Sequence, residues 1–245
     1  MPSSRRLIIA GAITFIAGLI VLFPARVAYK WFSPPGIALS GLEGSIWSGS
    51  ARDADAAGMY LHNMKWRMLP LQLVTGKLAF AVEGSPAGGF IDTRAAITLG
   101  GNLRLTDLRA SLALAQLEQA ANISGLRGIA NLQFERIDIQ DGAPVTADGT
   151  LEVRELLLPK VATESIGGYK AEFFTQDDGI VASVEDTDGT LDLAGRLLMG
   201  TDGSYQFLGQ VAAKPETPAS ALRQMQYLGS ANERGQYELR LEGSM

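Results

Sequence analysis

The chain has 245 residues, 47% of them hydrophobic and 19% charged, with a formal net charge of −5. This acidic balance argues against nucleic acid as a partner, because phosphate is bound by Lys and Arg displacing its counterions. The absence of cysteine removes disulfides, thiolate metal sites and cysteine nucleophiles together, without fixing the compartment.

Residues 7–23, Leu7 to Phe23, carry no charge. As a helix they span about 26 Å, against a hydrocarbon core of about 30 Å that helices of about 17 to 25 apolar residues cross. A cleaved signal peptide would use Arg5 and Arg6 as its basic end. Its cleavage site needs small residues flanking one other, however, and Phe23-Pro24-Ala25 and Arg26-Val27-Ala28 put Phe or Arg where one is required. The expectation is therefore a retained anchor. It comprises a cytoplasmic tail over 1–6, a transmembrane helix over 7–28, a linker over 29–36 and a periplasmic β-rich domain over 37–245. Arg5 and Arg6 on one side, and Tyr29 and Trp31 on the other, are the expected membrane-interface residues. Arg26 and Lys30 nearly balance the first pair. The terminal amine tips the orientation toward a short inside tail and a large outside body.

The rest of the chain reads as antiparallel β-structure. Leu78-Ala79-Phe80-Ala81-Val82, Leu132-Gln133-Phe134, Leu151-Glu152-Val153, Leu191-Asp192-Leu193 and Tyr237-Glu238-Leu239-Arg240-Leu241 alternate, which sends one set of side chains to each face of a sheet. Asp-Gly pairs at 141–142, 148–149, 178–179, 188–189 and 202–203 are candidate hairpin turns. About a dozen short strands are expected. One helix is expected from Pro218 to Leu228, with Thr217 as N-cap, Leu222, Met225 and Leu228 on one face and Gly229 as the stop. A weaker one is expected near 114–121. The fold is thus mainly β: a single N-terminal transmembrane helix, then a curved antiparallel β-sheet, half-barrel or sandwich-like, with one or two short helices. An open sheet would leave a long apolar groove and a closed one would not; the pattern does not choose between them.

Residues that carry chemistry are sparse. The single histidine, His62, has no carboxylate beside it in sequence and reads as a surface polar residue. Glu185 to Asp192 is acidic but lacks the third ligand position and distal glutamate of a helix-loop-helix calcium site. Gly44-Ser45-Ile46-Trp47-Ser48-Gly49-Ser50 is not a nucleophile elbow, and no glycine loop ends in Gly-Lys-Ser or Gly-Lys-Thr. No catalytic, cofactor or metal site is expected. Trp47 and Trp66, with Pro70, stand out as core anchors or partner contacts.

Several landmarks follow one another along the chain. They are Phe23-Pro24-Ala25-Arg26-Val27, the run Leu39-Ser40-Gly41-Leu42-Glu43-Gly44-Ser45-Ile46-Trp47-Ser48-Gly49-Ser50-Ala51, then Trp66-Arg67-Met68-Leu69-Pro70-Leu71-Gln72-Leu73 with Gly76. Near the end come Ala221-Leu222-Arg223, Leu228-Gly229 and Gly235-Gln236-Tyr237-Glu238-Leu239 with Gly243. In this order they resemble the type II secretion system protein N family. Residues 90–213 match as a β-rich region without a motif. Ser45-Ile46-Trp47 departs slightly from the Thr-Leu-Trp or Ser-Val-Trp usual there. The resemblance implies a single-pass inner-membrane protein of a Gram-negative bacterium with a periplasmic β domain and no enzymatic activity. It also implies work beside other type II secretion components, at the inner-membrane platform or the outer-membrane secretin. The alternative expectation is a periplasmic lipid-handling module with an apolar β groove, in outline like AsmA or the lipopolysaccharide-transport proteins.

Overall fold

A computed structural model describes residues 3–32, 37–56, 59–98, 100–118 and 123–244. The chain opens with two helices, α1 (Ser3–Val21) and α2 (Ala25–Phe32). Pro24 divides them, since it has no amide to continue the ladder and suits the start of a new helix; its carbonyl accepts from the amides of Val27 (3.1 Å) and Ala28 (3.2 Å). The single helix expected over 7–28 is therefore split, and Tyr29 to Phe32, expected as linker, continue α2. Residues 33–36 lie outside the described residues, as do the side chains of Arg5 and Arg6. Among the described residues no helix is long and apolar enough to cross a membrane.

Among the described residues fourteen strands follow. They are β1 (Ile37–Ser40), β2 (Glu43–Gly44), β3 (Ser48–Ala56), β4 (Met59–Met68), β5 (Lys77–Pro86), β6 (Phe90–Thr98) and β7 (Leu103–Ala113). After them come β8 (Arg127–Gln140), β9 (Ala143–Leu157), β10 (Tyr169–Gln176), β11 (Gly179–Asp186), β12 (Leu191–Gly200), β13 (Ser204–Ala213) and β14 (Gln236–Ser244). They make one antiparallel sheet in chain order, except that β1 and β2 both pair with β3. The first and last strands do not pair with each other, so the sheet is open.

Alternation gives the sheet two different faces. One row across the ladders reads Gly84, Ile91, Ala110, Leu132, Leu151, Ala171, Val184, Gly195, Gly209, Leu239. A row on the other face reads Lys65, Glu83, Asp92, Arg109, Gln133, Thr150, Glu172, Ser183, Arg196. Burial on the apolar side is uneven. Phe134, Ala147 and Ile180 pack with Leu108 and Phe173 in the middle, the Phe134 and Phe173 rings 5.4 Å apart. Residues 157–169 and α3 (Ala219–Met225) cover the C-terminal part, where Tyr169 meets Ala162, Ile166 and Ala221, and Met225 meets Leu191 and Val211.

Four local expectations are corrected. Asp148-Gly149 is not a turn but lies inside β9. A Cβ on Gly149 would come within 2.3 Å of the Gln133 carbonyl oxygen and 2.5 Å of Phe134 Cα, so close strand approach explains that glycine better than a hairpin does. Thr217 does not cap the last helix: its hydroxyl donates to Thr190 O and accepts from the Lys214 amide, and Pro218 holds the N-cap position. The helix buries Ala221 and Met225 and leaves Leu222 and Leu228 exposed, because its contact line runs along i, i+4 rather than i, i+3. Near 114–121 the described residues form a 3-10 turn, Leu114–Leu117; 119–122 lie outside the described residues.

Candidate functional site

Trp47 and Trp66 stand at one corner, where the helices join the sheet, and Pro70 follows at the end of the strand that carries Trp66. After β1 the chain turns at Gly41 and Gly44 and folds Ser45–Ser48 into a tight loop. The Ser45 amide donates to Ser48 O (2.9 Å), and the Ser45 hydroxyl accepts from the amides of Trp47 (3.3 Å) and Ser48 (3.2 Å). This loop grips the end of α1. The Trp47 indole N–H donates to Ile20 O at 2.8 Å and the Ile46 amide donates to Phe23 O at 3.1 Å. Pro24 and Ser45 form an antiparallel bridge. Trp47 O in turn accepts from the Met68 amide at 2.6 Å, and the Trp66 indole donates to Ser45 O at 3.3 Å.

The glycines around Trp47 follow from this packing. Gly44 has φ +83°, and a Cβ on Gly49 would lie 2.5 Å from Glu43 O and 2.6 Å from Trp66 Cζ2. Trp66 therefore lies across a strand that must be glycine at the crossing. Both tryptophans are half-buried with their indole donors used inside the molecule, whereas Pro70 is exposed. Pro70 opens a 3-10 turn, Pro70–Thr75, that ends at Gly76.

The Tyr29 hydroxyl is engaged within the molecule. It donates to Ile37 O (2.9 Å) and accepts from the Leu39 amide (3.1 Å), both backbone groups of β1. Trp31 is exposed and stacks obliquely on Phe23, with ring centroids 5.8 Å apart.

His62 has a partner that linear reading missed. The β3–β4 register sets Asp53 opposite it, with His62 Nδ1 2.8 Å from Asp53 Oδ1 and the Ser40 hydroxyl donating to Asp53 Oδ2 at 3.1 Å. The His62 imidazole and the Ser40 hydroxyl hold the Asp53 carboxyl below its usual range. The hydroxyl meets the carboxylate and not the imidazole, so this exposed trio leaves the serine without the activating base that nucleophilic catalysis needs. A hairpin register read from the alternation on either side of 57–58 is the signal that could have found it.

The acidic run at 185–192 joins β11 to β12. Asp186 pairs with Lys214 and accepts from the Leu193 amide at 3.1 Å. Burial pushes its carboxyl up, but the Lys214 ammonium and the Leu193 amide outweigh burial and hold it low. Among the described residues no group of His, Asp and Glu is placed to hold a metal ion. Surface hollows of about 490 and 580 Å³ lie along the strands. Their walls mix charged residues, Arg109 and Glu172 in one and Asp178 and Glu242 in the other, with apolar ones, so neither is a purely apolar trough.

A family model for type II secretion system protein N matches residues 35–240. The chain belongs to that family. No curated protein and no solved structure matches it. The matched span takes in the Trp47–Trp66 corner and the whole sheet to Arg240, and the family is that of an accessory component of a cell-envelope secretion system.

Proposed function

We propose that the chain is a non-catalytic accessory component of the type II secretion system. Its N-terminal segment is held in the inner membrane of a Gram-negative bacterium, and its sheet stands in the periplasm to contact other secretion components. Three features support this reading. The family match covers the sheet. The apolar side chains of α1, Leu7 to Val21, are exposed, as suits a helix whose surroundings are lipid. The β1 end of the sheet is tied to the end of α1 by Trp47 and Ile46, so the body stands where α1 leaves its surroundings. Trp47 and Trp66 act as anchors of that corner, and Pro70 shapes the turn beside it.

The observation that carries the contact is the outer edge of β14. Among the described residues this nine-residue strand pairs with β13 alone, and beyond Gln236, whose amide and carbonyl are taken by Asn232, its outer backbone groups can accept a strand from the inner-membrane platform or the secretin. A photoreactive residue in place of Arg240 should crosslink to a secretion component in cells, while one in place of Ala38 on β1 should not. Deletion of the protein should impair secretion. Secretion untouched by deletion, together with no adduct from Arg240, defeats the proposal. The lipid-handling alternative draws no support from the family match, and the mixed walls of the two hollows speak against an acyl-chain trough.

A further inference from the structure

The Pro70–Thr75 turn joins β4 to β5 and carries large apolar side chains in the open. From Met68 to Gly76 the chain has no charge, while Arg67 and Lys77 flank it on either side. Leu71 is 84% exposed, Leu73 51% and Val74 88%. At the same end of the strands Leu78 and Ile97, paired across β5 and β6, are 36% and 48% exposed. These five side chains make one apolar patch at the tip of the sheet.

Three properties say what covers it. The turn is internally satisfied: the Gln72 amide donates to Leu69 O (3.0 Å), the Gly76 amide to Leu73 O (3.0 Å) and the Thr75 hydroxyl to Gln72 O (2.8 Å). Its backbone thus tolerates an environment without water. Its flanking cations suit anionic headgroups beside an inserted apolar tip. The turn also stands at the end of the strands where α1 is held, because Met68, two residues before Pro70, donates to Trp47 O, and Trp47 donates to Ile20 O in the last turn of α1.

We propose that the Pro70–Thr75 turn dips into the interfacial layer of the same bilayer that receives α1, a second membrane contact that fixes the tilt of the sheet on the membrane. This rests on the reading of α1 as the anchor. The full chain has no cysteine, so single substitutions Val74→Cys, Ala12→Cys in α1 and Ala87→Cys at the opposite end of β5 can each carry an environment-sensitive fluorophore. Each labelled protein is reconstituted into vesicles of phosphatidylethanolamine and phosphatidylglycerol that contain lipid with a spin label near the headgroup. The expected result is severalfold quenching at 12 and at 74, with none at 87. Quenching at 12 but not at 74 overturns the proposal and leaves the anchor standing. No quenching at either position removes the anchor and the proposal with it. A label at 74 that becomes shielded only when other secretion proteins are added, and not in lipid, also overturns it by making the patch a protein contact.

Discussion

The two edges of the sheet are finished in opposite ways. At the N-terminal edge the outermost strand is broken into four-residue β1 and two-residue β2, and the Tyr29 hydroxyl occupies both an amide and a carbonyl of β1. At the C-terminal edge β14 runs for nine residues with β13 as its one strand neighbour among the described residues, and Asn232 occupies the amide and carbonyl of its first residue, Gln236, alone. Short, plugged edges are how sheets avoid pairing with strangers; a long unplugged one invites a partner. Burial differs as well. The buried residues of β3 to β6 are small, Ala51, Ala54, Ala79 and Thr93 among them, whereas β12, β13 and α3 bury Leu191, Val211 and Met225. The edge left open is the one whose interior is better packed, so it can offer its backbone outward without depending on a partner for stability.

Core substitutions should show that asymmetry most strongly. Met225→Ala empties a site between Leu191 and Val211 and is expected to cost about 2–5 kcal/mol, read as a lower denaturant midpoint of the body. Leu61→Ala, on the half-buried side of β4, should cost clearly less. Equal losses would mean that coverage by α3 does not set burial here. At the N-terminal corner the sensitive change is addition rather than removal. Gly49→Ala drives a methyl into Glu43 O and the Trp66 ring and should cost about 1–3 kcal/mol, with Trp66 fluorescence shifting in the folded state.

Acid should separate the two edges next. Asp186 is mostly buried against Lys214 and Tyr169, and its carboxyl is held below the ordinary value of 3.8. A carboxyl depressed on folding adds stability that is fully present above its unfolded value and is lost as pH falls through the folded one. Asp186→Asn should therefore cost about 1–3 kcal/mol at neutral pH and flatten the decline in stability below about pH 4. Asp53, at the other edge, is also held low, but its pair with His62 is open to solvent, where screening leaves little to lose. Asp53→Asn should leave the acid limb nearly unchanged in a urea titration repeated across pH; an equal flattening would overturn this ranking.

Much of the sheet was legible from alternation, because period two assigns faces whatever the register. Leu132, Leu151 and Leu239 could be placed on one face and Gln133 and Glu152 on the other before any pairing was known. Alternation does not report coverage, which is why Phe80 and Phe134, in similar local patterns, end half-buried and buried. Asp-Gly misled at 148–149 because the same dipeptide serves a turn and a close strand crossing. Trp47 and Trp66 could be singled out as core anchors or partner contacts, but the group that the Trp47 indole meets, the Ile20 carbonyl twenty-seven positions earlier, is a backbone group that no side-chain pattern marks. The partnership of Tyr29 with β1 was hidden for the same reason.

The smallest predicted effect tests the edge contrast most directly. Tyr29→Phe keeps the ring and removes the hydroxyl that Ile37 O and the Leu39 amide share. Both groups can turn to water, so stability should fall by only about 0.5–1.5 kcal/mol. The larger consequence is topological: β1 becomes a second unplugged edge on an already open sheet, and two copies can then pair through it. Sedimentation of the detergent-solubilised variant should show self-association that the parent lacks. Adding Leu39→Pro, which takes the outward-facing donor from β1, should weaken that association, and the same proline in the parent should leave its mass unchanged. If Tyr29→Phe sediments as the parent does, the hydroxyl is a packing detail, and the shortness of β1 and β2 alone protects that side.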